Sequence, residues 1–119
     1  MKCYNVTITK PTTDRRHVMA KDIHTPEVTR FFQAVLTLKN VEECYAFFED
    51  VCTINELLSI SQRLEVAHML TESKTYLDIA EKTGASTSTI SRVNRSLVYG
   101  NDGYNIAFSR MKNNDKKSK

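Results

Sequence analysis

From Val28 to Leu97 the apolar residues recur at intervals of three and four, the spacing of helices buried along one side. No stretch alternates for long enough to build a sheet. Tyr4 to Thr9 has strand-like composition, but it stands alone and runs into Lys10-Pro11. The pattern therefore predicts an all-α chain. Thr25-Pro26-Glu27 opens a first helix, with a threonine cap, a proline at the first helical position and an acid at the positive end. Its stripe is Val28, Phe31, Phe32, Val35 and Leu36. Asn40 and Glu43 predict a capped second helix with Val41, Cys44, Tyr45, Phe48, Val51 and Cys52 inward and Phe47 off the stripe. Thr53 and Glu56 form a capping box for a third helix. Its inner face is read as Leu57, Ile60, Leu64, Ala67 and Leu70, flanked by Leu58 and Met69. Gly100 and Gly103 mark a turn, and a last helix is expected over about Tyr104 to Lys112, with Ala107, Phe108 and Met111.

Between these lies the most specific signal. Thr75 and Asp78 cap a short helix, and Tyr76 to Leu97 (YLDIAEKTGASTSTISRVNRSL) has the spacing of two helices meeting at a sharp turn. Ile79 and Ala80 face inward, and Ala80 is small enough for a second helix to cross close by. Gly84 falls where the turn needs a positive φ. Ile90 and Val93 return on the inner side of the second helix. The remaining positions, Ser86, Thr87, Ser88, Thr89, Ser91, Arg92 and Arg95, make a hydroxylic and basic face without a carboxylate. Such a face suits a DNA major groove, where side chains meet base edges and phosphates.

Composition narrows the setting. The 119 residues allow one domain with a modest core, and 40% hydrophobic content is globular. There is no apolar run of membrane-spanning length and no apolar signal core, so a cytoplasmic, membrane-independent protein is expected. The cysteines Cys3, Cys44 and Cys52 are odd in number, which fits reduced thiols. Cys44 and Cys52 share a helical face and read as core. None of His17, His24 and His68 has metal-ligand spacing; His68 reads as a packed histidine with one hydrogen bond. No nucleophile–base pair, carboxylate dyad or phosphate-cradling loop stands out, so neither catalytic nor metal residues are assigned and no enzyme is expected.

The net charge of +3 is unevenly spread: residues 1–20 and 101–119 each carry three net positive charges, and residues 21–100 carry three net negative ones. Affinity for phosphate must therefore come from a local patch, read as Lys74, Lys82, Arg92 and Arg95. Residues 1–22 are taken as a flexible leader, 23–112 as the helix-turn-helix domain and 113–119 (NNDKKSK) as a disordered basic tail. Phe31, Phe32, Phe47, Phe48 and Phe108 are more aromatic surface than so small a chain can cover. A homodimer with a shared core is expected, presenting two reading helices to double-stranded DNA.

The run Gln62-Arg63-Leu64-Glu65-Val66-Ala67, the segment Thr83-Gly84-Ala85-Ser86-Thr87-Ser88-Thr89-Ile90-Ser91-Arg92, Cys44-Tyr45 and Tyr99-Gly100-Asn101-Asp102 together resemble the Trp repressor superfamily, in particular its YerC/YecD branch. The likeness covers about residues 24–112. It implies a Trp-repressor-like helical bundle, an intertwined homodimer, and a DNA-binding transcriptional repressor. It also implies a small-molecule corepressor site, with Arg63 and Arg92 on either side of the ligand, Thr53 on the pocket floor and Ser96 near the ligand's polar end. Val93 departs from the pattern, since Trp repressors have glycine there, and a β-branched side chain takes the space an indole needs. This argues against tryptophan as the ligand. Leu77 and Ala80 replace two basic residues of the family's first DNA-facing helix. Two other readings stay open: an interaction module docking on the transcription machinery, suggested by the acidic middle and the apolar early helices, and a small-molecule sensor.

Overall fold

The computed structural model describes residues 22–118 and folds them into six helices: α1 (Pro26–Val35), α2 (Val41–Val51), α3 (Ile54–Thr71), α4 (Tyr76–Thr83), α5 (Thr87–Tyr99) and α6 (Gly103–Ser118). There is no strand among the described residues, and the class is all-α. The strand-like Tyr4 to Thr9 and nearly all of the expected leader lie outside them. No helix of the described residues is long and apolar enough to cross a membrane. The described residues divide into two compact units, one ending at Phe47 and the other beginning at Phe48, within α2.

In the first unit the caps form where the sequence places them. Thr25 is extended, and its hydroxyl accepts from the Val28 N–H at 3.1 Å. Just before it, the Asp22 carboxylate accepts from the His24 N–H at 3.0 Å and meets the His24 ring at 3.1 Å. These contacts, the backbone bond foremost, hold the Asp22 carboxyl below the usual carboxylate range. Asn40 accepts from the Glu43 N–H at 2.8 Å. The Glu43 carboxylate reaches one residue further back than a capping box would, to the Lys39 N–H at 2.9 Å. Phe31 lies against Phe32 and stacks on Phe47, with ring centroids 5.8 and 5.9 Å apart.

Neither α1 nor α2 has a buried residue. The face expected to be inward on α2 is only partly so. Cys44, Phe48 and Cys52 are half-buried, as is Phe47, whereas Val41, Tyr45 and Val51 are exposed.

The second unit has the core: Val66, Ala67 and Met69 of α3, Ile79 of α4, Ala85 of the turn, and Ile90 and Val93 of α5. Leu70, Ala80, Leu97, Tyr104 and Phe108 pack around it. Full burial of side chains such as Ile79, Ile90 and Val66 is worth about 2 kcal/mol each, the main force holding α3, α4 and α5 together.

The face of α3 that enters this core differs from the expected one. The inner stripe runs through Gln62, Val66 and Met69, while Ile60 is 54% and Leu58 61% exposed. Leu64 is exposed as well, and only Ala67 is buried from the expected set, with Leu57 and Leu70 half-buried. The helix has two apolar stripes, and within this chain α4 and α5 cover the one that is less obvious in the sequence.

After α5, Gly100 and Asp102 shape the turn; the left-handed residue is Asp102 (φ 67°), not a glycine. The side-chain amide of Asn105 donates to the Asp102 carboxylate at 2.8 Å. Tyr104 stacks on Phe108 (6.1 Å), and Phe108 meets the His68 ring edge-on (5.5 Å). His68 is exposed rather than packed, and its Nε2 lies 3.8 Å from Glu72. Helix α6 does not stop near Lys112 but continues through the polar residues to Ser118. Nothing in Asn113 to Ser118 breaks a helix: it contains neither glycine nor proline.

Candidate nucleic-acid interface

Helices α4 and α5 and the turn between them are fixed residue by residue. Thr75 caps α4, its hydroxyl accepting from the Asp78 N–H at 3.1 Å. Ile79 is fully buried, and Ala80 is half-buried and packs against the core that Ile90 and Val93 of α5 join. The helix ends at Gly84, which is left-handed (φ 76°, ψ 5°) and donates its N–H to the Ala80 carbonyl at 2.9 Å. Thr83 is the junction of the turn: its hydroxyl donates to the Ile79 carbonyl at 2.7 Å and accepts from the Ala85 N–H at 3.1 Å. Its own carbonyl accepts from the Gln62 amide of α3 at 3.1 Å. Ala85 is buried, and Ser86 then caps α5.

Helix α5 turns Ile90 and Val93 into the core. At about 100° per residue, Ser88, Ser91, Arg92 and Arg95 fall on the opposite side, and all four are exposed. Tyr99 shares that side one turn beyond Arg95 and is exposed too. The hydroxyls predicted to form the face have two distinct roles. Ser86 accepts from the Thr89 N–H at 3.1 Å and donates to the Thr89 hydroxyl at the same distance, so this pair satisfies the first turn. Thr87, Ser88 and Ser91 are exposed and have no hydrogen-bond partner among the described residues.

There is no acid in the first turn of α5, and none anywhere in the helix. Its positive end is therefore uncompensated. Neither Arg92 nor Arg95 pairs with a carboxylate among the described residues. An exposed face with two guanidiniums and three hydroxyls unpaired among the described residues, beside a helix N-terminus capped by Ser86 without an acid, is arranged to receive anionic oxygens and hydrogen-bonding edges.

Lys74 and Lys82 are placed differently. Both line a cleft of about 500 Å³ that Glu65, Glu72, Asp78 and Glu81 also line, so their surroundings are mixed in charge. Of the residues the family resemblance assigns to a ligand, Thr53 is engaged as the N-cap of α3, accepting from the Glu56 N–H while Glu56 accepts from the Thr53 N–H. Arg63, Arg92 and Ser96 are exposed, and Arg63 has no ion-pair partner among the described residues. A larger cleft of about 850 Å³ lies between α3 and α6, lined among others by Leu64, His68, Phe108 and Met111. None of Thr53, Arg63, Arg92 and Ser96 lines either cleft. Val93 is only 3% exposed and belongs to the core.

Gln62 and Thr83 were visible in the sequence only as parts of a motif. The signal that would have marked Gln62 is a polar residue on the same helical stripe as Val66 and Met69.

A short helix, a left-handed turn and a second helix with an outward polar face define the helix-turn-helix class. Within it, this chain belongs to the Trp repressor family, a family of transcription regulators: the Trp repressor protein profile matches residues 26–112. It is 55% identical over 92 residues to YerC, an uncharacterized protein of Bacillus subtilis strain 168, a match covering 77% of this chain and 88% of YerC. A TrpR-like protein from Eubacterium eligens has 68% sequence identity and a TM-score of 0.74, covering 76% of this chain and 93% of the other. A candidate Trp repressor from Staphylococcus aureus has 51% identity and a TM-score of 0.73, covering 76% and 90% respectively.

Proposed function

We propose that the protein is a sequence-specific, DNA-binding transcriptional repressor that acts as a homodimer. The reading helix is α5. Arg92 and Arg95 contact phosphates or base edges, and Thr87, Ser88 and Ser91 supply hydroxyl contacts. The observation that carries this is the exposed side of α5, which has two unpaired guanidiniums and no acid. One short helix reads only a few base pairs, so two copies related by a two-fold axis give the discrimination an operator needs. The apolar side chains left exposed on α1, α2 and α3 support the same assembly.

Selection of genomic fragments by the purified protein, read by sequencing, tests the proposal; recovery of one palindrome is expected. Arg92→Ala with Arg95→Ala should abolish that selection and lower the salt slope of binding by about one unit per lost phosphate contact. Equal affinity and slope in the double variant would remove α5 as the reading element.

A ligand-responsive form of this function is favoured by one observation: Arg63 is exposed and holds no carboxylate among the described residues. Guanidiniums stack on planar rings and pair with carboxylates, so an anionic or aromatic metabolite suits Arg63 and Arg92. Calorimetry against a metabolite panel, with Arg63→Glu as control, tests it; an unchanged isotherm in the variant takes Arg63 out of the site.

A further inference from the structure

We infer that Gln62 is the positioning residue of the reading helix, setting sequence discrimination through the turn; this rests on the DNA-reading function proposed above. The turn between α4 and α5 is held by two kinds of force. Burial of Ile79, Ala85, Ile90 and Val93 against Val66, Ala67 and Met69 is strong but non-directional. Such packing sets how the helices cross only to within a range, and directional contacts narrow it. Those made within the turn, from Thr83 to Ile79, from Ala85 to Thr83 and from Gly84 to Ala80, join residues no more than four apart. They shape the turn locally and make no bond from it to α3.

The bond from the Gln62 amide to the Thr83 carbonyl spans 21 residues and is half-buried. It attaches the last carbonyl of α4, the atom just before the left-handed glycine, to the stripe of α3 that forms the core. A small displacement there is carried to the far side of α5, where Ser88, Ser91, Arg92 and Arg95 must meet base edges in register. Gln62 is on α3 and in neither helix of the reading motif, so it acts through Thr83.

The test uses the full chain and two duplexes: the genomic fragment that the wild-type protein selects most strongly, and a random sequence of the same length. Two variants remove the donor, Gln62→Met with nearly the same reach and Gln62→Glu with the same shape. The second keeps a polar group at the site and serves if the first does not fold. Both should lower the ratio of specific to random affinity by about 10-fold, the effect of one directional hydrogen bond, while in the uncharged Gln62→Met affinity for the random duplex and its salt slope stay at wild-type values. A merely structural role would reduce the folded fraction and lower both affinities together, leaving the ratio alone. A ratio within about twofold of wild type in both variants overturns the inference. A wild-type protein that prefers no fragment overturns the DNA-reading function itself, and the role of Gln62 with it.

Discussion

Two glycines flank α5 for different reasons, and substitutions separate them. At Gly84 a Cβ would meet nothing within 4 Å, but φ is 76°, so the cost of a side chain is conformational. Gly84→Ala should lose about 1 kcal/mol in urea denaturation, and Gly84→Asn less, because asparagine tolerates the left-handed region. At Gly100, φ is negative, but a Cβ would collide with the Ser96 carbonyl. Gly100→Ala and Gly100→Asn should both lose about 2 kcal/mol, with no relief from asparagine. The sequence pointed to the left-handed role of Gly84, because the distance from Ala80 to Ile90 demands a tight turn. It held no sign of the close approach at Gly100. Val93 is a related case: the spacing placed it inward, and the packing bears this out, since it is 3% exposed and belongs to the core.

The starts of elements were more legible than their faces and ends. Thr25, Asn40, Thr53 and Thr75 all cap as their spacing predicts, because a cap is a local bond between a side chain and an N–H three residues on. The inward face of α3 departs from the expected one because the helix is apolar on two sides, and periodicity does not say which side a neighbour from the same chain takes. The end of α6 is not legible because Asn113 to Ser118 are polar and leave no apolar periodicity to read. At the reading helix, hydroxyl composition alone did not separate structural from exposed groups. Ser86 and Thr89 form the cap, so Ser86→Ala should destabilise the protein by about 1 kcal/mol in thermal denaturation, with DNA affinity falling only as far as α5 frays. Ser91→Ala, by contrast, removes an exposed hydroxyl without a partner and leaves the melting curve in place.

At the scale of the whole molecule, the seven buried residues among those described all lie in the second unit. Helices α1 and α2 and the outer stripe of α3 have apolar surface that the described chain does not cover. In the proposed homodimer a second copy covers it, and stability is then tied to association. The melting midpoint should rise with protein concentration, and Ile60→Glu should shift sedimentation toward the monomer while leaving the Val66–Ile90 core untouched. A midpoint independent of concentration, with a monomeric wild type in sedimentation, would reject the dimer. The reading helix itself carries neither carboxylate nor imidazole, only alcohols, amides and arginines beside its apolar and aromatic residues. Arginine and the phosphodiester both keep their charge through the range in which histidine titrates. Operator occupancy should therefore stay level from about pH 6 to 8 at fixed ionic strength, as anisotropy titrations can record. If the proposed contact holds, a cell acidifying under stress would leave it unchanged, and control would come instead from supply of the protein or from a bound molecule such as the metabolite proposed for Arg63 and Arg92.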